Sequence, residues 1–136
     1  MKKIICLLMF VITLVGCQKI HYWDFHYDYE RVSEIKIVEA ISETEYREVK
    51  KIDLSFAREI YMDISNIKMK RYGTNLSSPF GKCFLIVFDN GEYDIIAQKE
   101  PKHFRYDGDY LLGHNSWLCC EEKDFNALIN KYLNNS

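Results

Sequence analysis

The chain is poor in residues that break regular structure: two prolines and six glycines among 136 residues. That excludes a collagen-like rod or a Pro/Gly-rich disordered stalk. The short patterns that would specify a chemistry are missing too. There is no Gly-rich phosphate cradle, no His-Glu-x-x-His pair, no calcium-loop pattern, no Gly-x-Ser-x-Gly elbow and no Cys-x-x-Cys pair. No apolar run approaches the about 20 residues needed to cross a bilayer as a helix. The longest runs from Ile4 to Val15, broken only by Thr13, and Gln18 and Lys19 close it. Basic charge is not in excess, with 18 Lys and Arg against 20 Asp and Glu, so no nucleic-acid partner is expected.

What is present begins at the N-terminus. Lys2 and Lys3 precede the apolar run, whose length is that of a signal-peptide core. Leu14-Val15-Gly16-Cys17 then resembles the lipobox of bacterial lipoproteins: an aliphatic residue, a tolerant position, a small residue and Cys. The resemblance covers only residues 1–17. It implies removal of residues 1–16 and a diacylglycerol thioether on Cys17, usually with its new amine acylated by a chain such as palmitate. The implied location is the cell envelope, with the acylated N-terminus in the bilayer. Gln18 in place of Asp favours the outer membrane of a Gram-negative host; the outer face of the cell membrane is the Gram-positive equivalent. Two or three acyl chains make a lasting anchor, whereas a single chain holds only marginally.

Without residues 1–16 the chain has 120 residues, carrying 16 basic and 20 acidic side chains. That length suits one domain with a modest core. With Cys17 lipidated, the thiols left are Cys83, Cys119 and Cys120. Export permits disulfides, so Cys83 with one of the adjacent pair is a candidate bridge. The alternative is three small buried thiols.

Residues 17–30 are expected to form a lipidated aromatic tether and residues 31–136 a single domain. Tyr22, Trp23, Phe25, Tyr27 and Tyr29 crowd this tether; they either dip into the headgroup zone or pack back on the domain. Alternation predicts strands over Arg31 to Ile41 and Tyr46 to Ile52, although a helix through Glu34 to Ile52 also aligns Ile35, Val38, Ile41 and Val49. Asp53 can cap a helix carrying Phe56, Ala57, Ile60, Tyr61, Ile64 and Ile67. Gly73 to Pro79 reads as a loop. Gly81 to Phe88 and Tyr93 to Ala97 flank Asn90-Gly91, the pattern of a hairpin with a two-residue type I′ turn. A second hairpin is expected around Asp107-Gly108, with Ser116 to Cys120 continuing its last strand. Phe125, Leu128, Ile129, Tyr132 and Leu133 form the stripe of a final helix, with acids at its start. The expected fold class is α+β, an antiparallel sheet with two helices packed on one face.

Two sets of side chains suit a metal by residue type. One is His21, Asp24, His26 and Asp28; the other is Cys83, His103, His114, Cys119 and Cys120. Neither has the spacing of a known site, so no metal and no cofactor is expected. Nucleophilic catalysis has only Cys83 beside His103 or His114, or Ser116, as candidates. Asp89, Asp94, Asp107 and Asp109 offer carboxylates, with turn formation as their ordinary use. The expected function is therefore non-enzymatic: an envelope lipoprotein that binds or protects, its partner another envelope or extracellular protein, with Tyr72, Tyr106, Tyr110 and Trp117 as candidate interface residues. The alternative is a thiol- or metal-handling lipoprotein using Cys83, Cys119 and Cys120.

Overall fold

The computed structural model describes residues 19–42, 45–71, 81–99, 101–105, 110–111 and 118–135. In chain order these residues form β1 (Val32–Ala40), β2 (Tyr46–Ile52), α1 (Ala57–Ser65), β3 (Met69–Arg71), β4 (Gly81–Phe88), β5 (Tyr93–Ile96), β6 (Lys102–Phe104), β7 (Tyr110–Leu111), β8 (Leu118–Cys120) and α2 (Glu122–Asn134). Six strands make one antiparallel sheet in the order β2-β1-β4-β5-β6-β7. β3 and β8 pair separately. The fold is α+β, as the order of patterns predicts.

Alternation along the strands sorts side chains between the two faces. Ile35 and Ile37 of β1, Phe84, Ile86 and Phe88 of β4 and Ile96 of β5 enter the main core, where they meet Ile60, Tyr61 and Ile64 of α1 and Phe125, Leu128, Ile129 and Tyr132 of α2. Both helices thus cover one face. Val38, Ala40, Cys83, Ile95, Ala97 and Phe104 form a smaller cluster on the other. β2, at the edge, exposes Arg47, Glu48, Val49 and Lys51, the charged pattern that discourages pairing with another chain.

The helices are joined by specific contacts. Tyr132 donates its hydroxyl to Asp63 at 2.6 Å, and Lys131 bridges Asp63 at 2.6 Å and Glu59 at 2.7 Å. Lys50 places its ammonium on the carbonyls of Tyr132, Leu133 and Asn135 at 2.9 to 3.0 Å, where the helix dipole is negative. Asp53 caps a 3-10 turn, Leu54–Phe56, by accepting from Ser55 N–H at 2.8 Å, and α1 follows directly.

Three expectations are corrected. The first concerns where the domain begins. Of the two readings of the aromatic segment, packing on the domain holds for four of its five rings: Trp23 is buried in the core, with Phe25, Tyr27 and Tyr29 packed against it. His21 exchanges backbone hydrogen bonds with Met69 at 2.9 and 2.8 Å, so the packed domain begins near His21 rather than Arg31. The area that these rings bury outweighs the absence of a regular pattern. Secondly, β8 does not continue the preceding strand; it pairs with β3, a strand too short to show a period.

The third correction concerns the β4–β5 turn. Gly91 N–H bonds to Phe88 C=O at 3.0 Å and Phe88 N–H to Glu92 C=O at 2.8 Å, so the loop has three residues, Asp89 to Gly91, instead of two. Gly91 takes a φ of 82°, as the left-handed closing position of a three-residue hairpin requires. The extra residue sets the register. Asp94 pairs with Ile86 and shares its core-facing side; a two-residue loop would pair Asp94 with Val87, on the opposite face. Gly91→Ala is expected to lower stability by about 1–2 kcal/mol, and Gly91→Asn by less, because only small polar residues tolerate this conformation; chemical denaturation of the two variants measures the difference.

Candidate functional site

The register that turns Asp94 inward sets it directly across from His103 of β6. Asp94 has no solvent exposure and His103 is buried with it. Nδ1 of His103 donates to Oδ1 of Asp94. Its Nε2 faces Oε2 of Glu92 at 3.0 Å, two residues before Asp94 and on the same side of the chain. Each ring nitrogen meets a carboxylate oxygen, and only the imidazolium donates from both. Burial by itself lowers the His103 pKa, but Asp94 and Glu92 outweigh it and the net shift is upward. Burial raises the Asp94 pKa against the opposing pull of His103. We assign the pair as imidazolium and carboxylate near neutrality.

The N-terminal segment closes the site from above. His26 stacks on His103 with ring centroids 3.8 Å apart and planes 16° from parallel, and its Nδ1 lies 3.8 Å from the same Asp94 oxygen. Partial burial, then the neighbouring His103 charge, push the His26 pKa down, so a neutral ring lies on a charged one. Tyr27 packs edge-on against Phe88 and donates its hydroxyl to Glu92 at 2.6 Å. Asn90 donates to the same hydroxyl oxygen at 3.2 Å. The Tyr27 bond, together with His103, holds the Glu92 carboxyl below its usual range. Arg31 lies 4.2 Å above the Tyr27 ring and pairs with Asp89, which fixes the segment to the hairpin loop. Phe25 stacks on Tyr61 of α1 at 3.7 Å. Beside His26 a shallow groove of about 340 Å³ opens between residues 23–28 and Tyr61 and Ser65 of α1.

Three ligand atoms, one each from His26, Asp94 and His103, lie within 4.8 Å of one another. Two imidazoles and a carboxylate form a donor set for borderline divalent ions. Asp94 Oδ2 is buried and accepts no hydrogen bond among the described residues; a buried carboxylate oxygen normally has a partner.

No family model, curated protein or solved structure matches this chain. Its chemistry must be read from the residues themselves.

The site draws one residue from each of three sequence-based sets: His26 from the N-terminal cluster, His103 from the thiol and histidine set, and Asp94 from the carboxylates. Of the others, His21 makes the backbone bridge to Met69, Asp28 caps the 3-10 turn Tyr29–Arg31, and Asp24 is exposed. The thiols are not brought together. Cys83 is on the sheet face opposite His103, whereas Cys120 lies in the helix-side core, and all three thiols are free. Burial pushes Cys83 and Cys120 up to about 12 and also raises Cys119, which withholds the reactive thiolate. Cys17, Tyr72, Tyr106, Asp107, Asp109, His114, Ser116 and Trp117 lie outside the described residues, as does the Tyr110 side chain. Glu92 and Tyr27 were not anticipated. The available signal was the Glu92-x-Asp94 spacing, which sets two acids on one side of a strand.

The His103 pKa is raised on folding, so its contribution to stability is present below the unfolded value near 6.5 and is lost as pH rises through the folded value. Glu92→Gln is therefore expected to destabilise the protein most at mildly acidic pH, with a penalty that shrinks once His103 is neutral. Thermal melts of both proteins from pH 5 to 9, in chelator, measure the gap; a gap independent of pH contradicts the assignment.

Proposed function

We propose that the chain is an envelope lipoprotein, anchored through Cys17, whose domain is held on the bilayer surface and acts by binding another envelope or extracellular protein rather than by catalysis. The observation that carries this reading is the shortness of the leash. Leu14-Val15-Gly16-Cys17 marks the anchor, and His21 is already joined to Met69 by backbone hydrogen bonds. Four residues span at most about 14 Å when extended. The domain is thereby kept against the headgroups instead of on a long flexible stalk. Ile20 and Tyr22, about half exposed, lie on the leash and beside it, where an aliphatic and an amphipathic ring fit the membrane interface.

Binding is favoured over thiol chemistry by the separation of Cys83 from Cys120 and by the upward pKa shifts of all three thiols. A domain held this close to the bilayer still exposes apolar side chains to a partner, among them Met62 of α1, Val49 of β2 and Leu54 just before α1.

Intact mass of the detergent-extracted protein tests the anchor: a chain starting at Cys17 with two or three acyl chains is expected, and an unacylated chain overturns it. Photo-crosslinking residues placed at Met62, Val49 and Leu54 in living cells test the binding role. One discrete adduct from one of these positions is expected, and no adduct from any of them contradicts the reading.

A further inference from the structure

Independently of any protein partner, we propose that His26, Asp94 and His103 form a binding site for one divalent transition-metal ion of the zinc class. The ligand atoms are His26 Nδ1 and His103 Nδ1, both beside Oδ1 of Asp94, in a set whose three residues offer ligand atoms within 4.8 Å of one another. On a tetrahedral ion with bonds near 2.0–2.1 Å, ligand atoms are about 3.4 Å apart, so the widest pair must close by at most roughly 1.4 Å while the hydrogen-bonded His103–Asp94 pair opens to admit the ion. His26 supplies that movement. It is the exposed member of the set, its side chain being 36% exposed against 2% for His103 and 0% for Asp94, and its parallel stack on His103 must open so that both lone pairs point at one ion.

The surroundings of His103 support this assignment. In metal sites the ring nitrogen that does not bind the ion commonly donates its proton to a carboxylate, which fixes the ring's orientation. Glu92 is already in that place, 3.0 Å from Nε2, and is itself held by Tyr27. Nδ1 of His103 then faces the ion; its proton passes to solvent as the metal bond forms, and Nε2 keeps its proton and donates it to the Glu92 carboxylate. The unpaired Asp94 Oδ2 provides a further lone pair in a buried position where nothing else from the described residues uses it. Nitrogen and oxygen donors together suit zinc, nickel and copper(II), and exclude a dedicated calcium or magnesium cage, which takes oxygen alone.

The test uses the acylated protein in detergent, freed of metal with a chelator and titrated with zinc chloride by calorimetry, with cobalt(II) absorption as a second readout. One ion per chain is expected. His26→Ala, at an exposed position that leaves the core intact, is expected to weaken binding at least tenfold, Glu92→Gln by about tenfold as is usual for a residue that orients a ligand, and Cys119→Ser not at all. Absence of saturable binding, equal affinity in His26→Ala, or loss of binding in Cys119→Ser overturns the proposal.

Discussion

Taking a carboxylate fully out of water costs several kcal/mol even after the protein relaxes, and the cost is recovered only through close charge and hydrogen-bond partners. Asp94 is such a carboxylate, with no exposure at the centre of the β5–β6 pair. Its need for a partner accounts for much of what surrounds it. His103 answers it from the adjacent strand, Glu92 holds the second nitrogen of His103, Tyr27 holds Glu92, and Asn90 holds Tyr27. The chain of contacts runs from the sheet interior to the hairpin loop and out to the N-terminal segment. An apolar pair in the place of Asp94 and His103 would be the cheaper way to fill this position. The retention of charge here is what makes the site a candidate for function rather than for packing.

Burial of Asp94 follows from one residue in a loop. Asp89, Asn90 and Gly91 together make the β4–β5 connection, and that length puts Asp94 on the same side as Phe84, Ile86 and Phe88. The sequence pattern Tyr93-Asp94-Ile95-Ile96 does not settle the phase, because it is apolar on both alternations apart from Asp94 itself. Asn-Gly favours the shorter turn by local propensity. Under that turn Asp94 would face away from the helices, so the sequence could name it only as one carboxylate among four. The hairpin, the two helices and the α+β class were readable, since each rests on a period, a turn or a cap within its own segment; β1 and β2 were readable as strands against a competing helical phase, but not as a pair. The site was not, because it depends on register and on three segments distant in the sequence.

The N-terminal segment joins the two halves of this account. It lacks regular structure, yet Trp23, Phe25, Tyr27 and Tyr29 bury their rings on the core, and His26 lies among them as the exposed lid over His103. If Cys17 carries the anchor, the same dozen residues serve as leash, as packing element and as one wall of the site. Membrane attachment and the His26–His103 contact are then mechanically linked through a short stretch of chain. A pull on the leash acts first on the backbone bonds between His21 and Met69, close to Trp23 and ahead of His26.

The central claim is that His103 is an imidazolium held between two carboxylates. Long-range proton–nitrogen NMR on protein labelled with nitrogen-15 at histidine reads this directly. At neutral pH in chelator, both His103 ring nitrogens should carry protons and show imidazolium shifts, while His26 shows one protonated and one bare nitrogen. A His103 ring with one bare nitrogen under those conditions would contradict the account and leave Asp94 without the charge that its burial requires.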